Sequence, residues 1–188
     1  MKTLLLISFH LLTIASCYAT KDLWDKDKSK WTSLMKFAYH GDTLRIDSLL
    51  SQGQNINSKN VNGWTALKVA VKKGQTQTVS YLLRHKADPN LADNEGMTSL
   101  MEACLHNHFD TAAILLENEA NPNSTNKIGW TALMGATSFG DTKIMELLLK
   151  RKADINAKRQ TDGMTALALA KYDNNNAKIK LLTSYGAK

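Results

Sequence analysis

The residues best suited to chemistry are few. His106 and His108 form an H-x-H, a spacing that can place two imidazoles on one metal ion. The pair straddles Asn107 and has no third ligand close by in sequence, so no metal is expected there. Cys104 could serve as a nucleophile or redox thiol, but it has no Cys-x-x-Cys companion. Its apolar surroundings predict a small core residue instead. No G-x-S-x-G and no phosphate-cradling glycine loop occurs. The acidic residues are scattered along the chain, a pattern that suits solubility better than paired acid and base work. Neither enzyme activity nor a cofactor is expected.

What organises these side chains is a period. Trp31, Trp64, Met97 and Trp130 each precede a threonine and stand 33 residues apart, and Met164 follows 34 later. The threonines are Thr32, Thr65, Thr98, Thr131 and Thr165, with Leu34, Leu67, Leu100, Leu133 and Leu167 two residues further on. Gly63, Gly96, Gly129 and Gly163 come just before the bulky residue in four of the five units. Self-similarity at this period means a stack of small supersecondary units rather than one globular core.

Each unit reads as turn, helix, turn, helix. Thr65 is a suitable N-cap, and Leu67, Val69, Ala70 and Val71 give helical spacing up to Gly74. Gly41, Gly74, Asn107, Gly140 and Asn174 end the first helices, glycine and asparagine being the residues that most readily turn left-handed. The second helices carry leucine pairs such as Leu82-Leu83 and Leu147-Leu148, and Pro89 and Pro122 forbid their continuation in two units. Helices this short do not stand alone in water, so stability must come from stacking.

The stretch GWTALKVAVKKGQTQTVSYLLRHKADPN (63–90) resembles an ankyrin repeat, and the likeness runs over residues 31–188. It implies an all-α solenoid of five helix-turn-helix repeats with short finger loops, at 31–63, 64–96, 97–129, 130–163 and 164–188. The family's signature proline is replaced by Ser33, Ala66, Ser99, Ala132 and Ala166, and its histidine by Met35, Lys68, Met101, Met134 and Ala168. Loss of that histidine is expected to remove its hydrogen bond with the threonine, at about 1 kcal/mol per repeat.

The resemblance also implies a protein partner, bound through finger tips, the slot after the glycine and the ends of the first helices. Carried over, these positions are Val61, Ile128 and their neighbours at the tips, and Trp31, Trp64, Met97, Trp130 and Met164 in the slot. The helix ends supply Tyr39, His40, Lys72, Lys73, Leu105, His106, Phe139 and Tyr172. Aromatic and thioether side chains together are what interfaces are enriched in. A tryptophan in the slot can equally lie over the finger base and shield the neighbouring repeat.

Residues 4–16, LLLISFHLLTIAS, have the length of a secretory signal and are too short to span a bilayer. Two endings compete. Cleavage after Ala19 would release a soluble protein, whereas Ile14-Ala15-Ser16-Cys17 resembles a bacterial lipobox, after which an acylated Cys17 would anchor the chain. The second is favoured because a cysteine has little other reason to sit there. Tyr18 rather than aspartate after Cys17 then implies the periplasmic face of the outer membrane, with 17–30 as a charged tether. The chain carries 24 Lys plus Arg against 17 Asp plus Glu. From Asp141 to Lys188 there are ten positive and five negative side chains, read either as solvated tips or as a surface for an acidic partner. No nucleic-acid partner is expected of an exported chain, and a monomer is.

Exported ankyrin stacks of this kind resemble immunity proteins that neutralise toxins delivered between bacterial cells. The partner expected on that resemblance is a secreted phospholipase-type toxin, blocked sterically. A periplasmic scaffold or stress-response accessory, and a secreted host-directed effector, are the alternatives.

Overall fold

Every unit begins with the same local event. A threonine in extended conformation accepts a hydrogen bond at its side-chain oxygen from the backbone three residues on: Thr32 from Met35, Thr65 from Lys68, Thr98 from Met101, Thr131 from Met134 and Thr165 from Ala168. This satisfies one of the orphan N–H groups of each helix start. The computed structural model describes residues 30–188, with Lys30 and Trp31 belonging to the segment that precedes a unit at 32–188. The leader at 1–16, Cys17 and all but the last residue of the 17–30 tether lie outside the described residues.

The described residues form ten α-helices and no strand. First helices are α1 (Ser33–His40), α3 (Ala66–Lys72), α5 (Ser99–Leu105), α7 (Ala132–Phe139) and α9 (Ala166–Tyr172). Second helices are α2 (Thr43–Ser51), α4 (Thr76–Arg84), α6 (Phe109–Glu117), α8 (Thr142–Lys150) and α10 (Asn176–Ser184). Each first helix packs on the next first helix, α4 on α6, α6 on α8 and α8 on α10, so the core is a seam between two helical layers. Leu34, Leu67, Leu100, Leu133 and Leu167 are all buried in it, and Cys104 lies among them with no exposure at all.

Two hydrogen-bond ladders hold the stack in register. In the fingers, Asn94 N–H donates to the Asn62 carbonyl, Lys127 to Glu95 and Gln160 to Ile128. A Cβ on Gly63 or Gly129 would come within 2.7 or 2.9 Å of a backbone nitrogen in the next finger, and both residues have positive φ. Glycine there is therefore required twice over. After the second helices, Asn57, Asn90, Asn123 and Asn156 each accept at Oδ1 from a backbone N–H one unit on, at 2.7–3.0 Å.

Gly140 departs from the expected left-handed helix end. Gly41, Gly74, Asn107 and Asn174 all have positive φ, but Gly140 is extended. The difference goes with a contact from the next unit. In the other four, the left-handed residue donates to the carbonyl three residues back, as Gly74 does to Val71. In the fourth, that carbonyl, on Thr137, is taken by the buried Lys178 Nζ at 2.6 Å, and Gly140 donates to Ala136 instead. Gly140 is kept small by crowding, since a Cβ would meet Ile144 Cγ2 at 2.7 Å.

Candidate functional site

The candidate site is the face made by the fingers and the first helices. Its slot residues are set by the finger below them: Asn60 Oδ1 accepts from Asn62 and Trp64, Asp93 Oδ1 from Glu95 and Met97, and Asn126 Oδ1 from Ile128 and Trp130. This Asx turn fixes the backbone from which each bulky side chain departs. Trp64, Met97, Trp130 and Met164 are half-buried, whereas Trp31 is only 8% exposed. Tyr39, Leu105, His106, Ile128 and Phe139 are also half-buried; His40, Val61, Lys73 and Tyr172 are exposed. Thus Trp31 is placed off the surface, and the rest of the aromatic column is present but partly spent on packing.

What it packs on is a set of ion pairs. Lys68 stands where the family has histidine, and the hydrogen bond expected to be lost is replaced there. Its side chain is 1% exposed and its Nζ lies 2.7 Å from both Asp93 Oδ2 and the Met97 carbonyl, tying the first helix of unit two to the finger at its end and to the first residue of unit three. Lys72, expected at a contact position, is instead tied down: its Nζ sits 2.8 Å from Glu102 Oε1, with both side chains buried. His106 joins the same carboxylate through Nε2 at 3.3 Å. Trp64 lies beside both ammoniums, its ring centroid 5.6 Å from Lys68 Nζ and 5.2 Å from Lys72 Nζ. An indole beside two buried cations both shields and attracts them.

Glu102 and Asp93 also correct the expectation that the acids are surface residues. Burial alone would raise the Glu102 pKa, but the His106 hydrogen bond and the Lys72 and Lys68 charges outweigh it and pull the value down to about 2. The carboxylate is a fixed anion within the stack.

The H-x-H divides into two structural roles. His106 serves Glu102. His108 makes a hydrogen bond to the Lys72 backbone, the task Gln75 performs one unit earlier for the Tyr39 carbonyl. Burial, then the neighbouring His106, lowers the His108 pKa, as befits a ring used neutral. Among the described residues no group of three or more His, Cys, Asp or Glu is placed to hold a metal ion. The Cys104 thiol is pushed far above its ordinary pKa by complete burial, which removes the thiolate needed for nucleophilic chemistry.

The fifth unit solves the finger differently. Arg159 falls at the register of Asn60, Asp93 and Asn126 but cannot accept a hydrogen bond. One extra residue makes room, and Asp162 takes over: its Oδ1 accepts from Met164 N–H while the carboxylate pairs with Arg159. The buried guanidinium lies 5.5 Å from the Trp130 ring centroid. Arg159 and Lys178, two of the C-terminal basic residues, are thus structural.

The family model for ankyrin repeats matches the chain in three copies, at residues 7–93, 34–126 and 119–188. The chain belongs to the ankyrin-repeat family. No curated protein matches it. Ankyrin repeats make the chain a protein–protein interaction module, in a family that is typically non-catalytic. The Lys68–Asp93 and Lys72–Glu102 pairs under the ankyrin slots were missed in sequence because each joins residues far apart in the chain. The signal existed as a paired departure: lysine replaces methionine at 68 where aspartate replaces asparagine at 93.

Proposed function

We propose that this ankyrin stack is an immunity protein, exported to the periplasm, that binds and neutralises an antibacterial toxin of the phospholipase type. The observation that carries the reading is the join of a signal-like leader to a binding face of half-buried Trp64, Met97, Trp130 and Met164 edged by exposed Val61 and Tyr172. Neutralisation then works by occlusion: the stack covers the toxin's active site and supplies no chemistry. Acylation of Cys17 would hold it at the membrane such a toxin attacks, on the periplasmic face of the outer membrane.

The test is deletion of the gene followed by co-culture with the parent strain while secretion is active. Inhibition of the deletion strain, relieved by the wild-type chain, is the expected result. Growth equal to the parent's would overturn the immunity reading, and a defect in pure culture would favour the scaffold or accessory role. Incorporation of labelled palmitate, lost in Cys17→Ser, tests the anchor separately.

A further inference from the structure

We infer that the partner segment seated on this face is an uncharged, apolar stretch of polypeptide, taken over the third to fifth repeats. The inference rests on the protein-binding reading of the face and adds the chemistry of what binds there. Ion pairs within the chain already engage the face's central charges. Lys68 is held by Asp93, Lys72 and His106 by Glu102, Lys127 by Glu95 at 3.6 Å on the finger tips, and Arg159 by Asp162. A partner bringing its own charge would have to break one of these pairs or bury that charge uncompensated.

The ring faces give the same answer. Trp64 lies against Lys68 and Lys72, Trp130 against Arg159, and Tyr39 has Lys73 at 4.3 Å from its centroid. A lysine or arginine from a partner would compete with a cation already tethered beside each ring. Apolar contact with the remaining ring edges carries no such competition.

Apolar exposure places the segment. The helix-end register holds Lys72, Leu105, Ser138 and Tyr172, of which Leu105 is half-buried and Tyr172 exposed. The fourth repeat has Ser138 there and Gly135 one turn earlier. A Cβ on Gly135 would lie 3.4 Å from Trp130 Nε1 and 3.7 Å from the Leu105 backbone nitrogen, so the indole edge comes down onto the helix with no side chain between. Half-buried Leu105 and Phe139 and exposed Tyr172 supply the apolar contact across the third, fourth and fifth repeats.

The experiment selects short random peptides displayed on phage against the immobilised full chain and measures the affinity of the winners. Expected are sequences rich in Leu, Phe, Trp and Met with no net charge. Their affinity should change by less than about twofold between about 0.05 and 0.5 M NaCl, because contacts between neutral groups are not screened. Tyr172→Ala and Phe139→Ala, each checked by its melting curve, should weaken binding by about tenfold or more, whereas Lys180→Ala, exposed on the second helix α10, should leave it unchanged. Selection of acidic or basic peptides with salt-sensitive affinity would overturn the inference, as would binding indifferent to both aromatic variants, self-association that excludes the peptides, or no selection at all. Because the readout is a peptide and not bacterial growth, its failure is distinguishable from failure of the immunity reading.

Discussion

Replacing Lys68 by methionine tests whether its ion pair with Asp93 is a structural element or a surface ornament. The ammonium and the Asp93 carboxylate are 2.7 Å apart with side-chain exposures of 1% and 9%. At an effective dielectric of about 20 their attraction is roughly 6 kcal/mol, and desolvating the two ions costs several kcal/mol each, so the intact pair is close to neutral relative to an apolar replacement. Removing one partner is different. Lys68→Met retains most of the stem volume but leaves a buried carboxylate unneutralised, at about 3–5 kcal/mol. The Met97 carbonyl is not orphaned, because it also accepts from Asp93 N–H at 3.0 Å.

The chain supplies its own control. Met35 with Asn60 and Met101 with Asn126 hold the register of Lys68 with Asp93, so the double variant Lys68→Met/Asp93→Asn copies a residue pair used twice nearby. Asparagine keeps an Oδ1 for the Glu95 and Met97 N–H groups, the bonds that Asn126 makes to Ile128 and Trp130. Asp93→Asn alone should cost roughly 3 kcal/mol, and the double variant should return to within about 1 kcal/mol of wild type. Urea unfolding followed by far-ultraviolet circular dichroism measures all four proteins, with a single transition required of each. A loss below about 1 kcal/mol for Lys68→Met, or a double variant no more stable than that single, would refute the buried-pair reasoning.

Three further outcomes follow from the same geometry. Glu102 has its folded pKa held at about 2 against an ordinary 4.5, so its contribution is fully present above pH 4.5 and is lost as pH falls toward 2. The unfolding free energy should drop on the order of 3 kcal/mol across that window, and Glu102→Gln should remove this component of the slope. Lys178→Met strips the donor from the Thr137 carbonyl and should cost about 1–3 kcal/mol, a loss read from the midpoint of urea unfolding. In a Cys17→Ser background, Cys104 should resist iodoacetamide in the native state and react at a rate that rises with denaturant in step with unfolding, since the buried thiol has no local route to solvent.

How far the sequence could be read depended on whether a feature closes within one repeat. The threonine caps, the Leu34-to-Leu167 series and the finger glycines all act within a few residues of themselves, and each was legible from the period. Lys68 with Asp93, Lys72 with Glu102 and Lys178 with Thr137 join residues 25 to 41 positions apart. A periodic pattern predicts only what every repeat shares, so these unique pairs entered the reading as isolated departures. Gly140 shows the limit well: its residue type was right for a left-handed turn, yet it is extended where a lysine from the next repeat engages the Thr137 carbonyl.

The slot residue therefore has two jobs that the sequence could not separate. At Trp64 the indole sits beside the cations that bind the second repeat to the third, and at Trp130 beside the arginine that rebuilds the fifth finger. Met97 and Met164 occupy the same slot with no such cation pair given to cover, and Asn126 Nδ2 donates to the Met97 sulfur at 3.4 Å. Trp64 and Trp130 thus fall where a buried cation needs cover, which makes their inner faces architecture. Their outer edges, half-exposed, are the part that the proposed partner would meet. Substitutions that trim the neighbours rather than the indoles themselves are the ones that separate binding from stability.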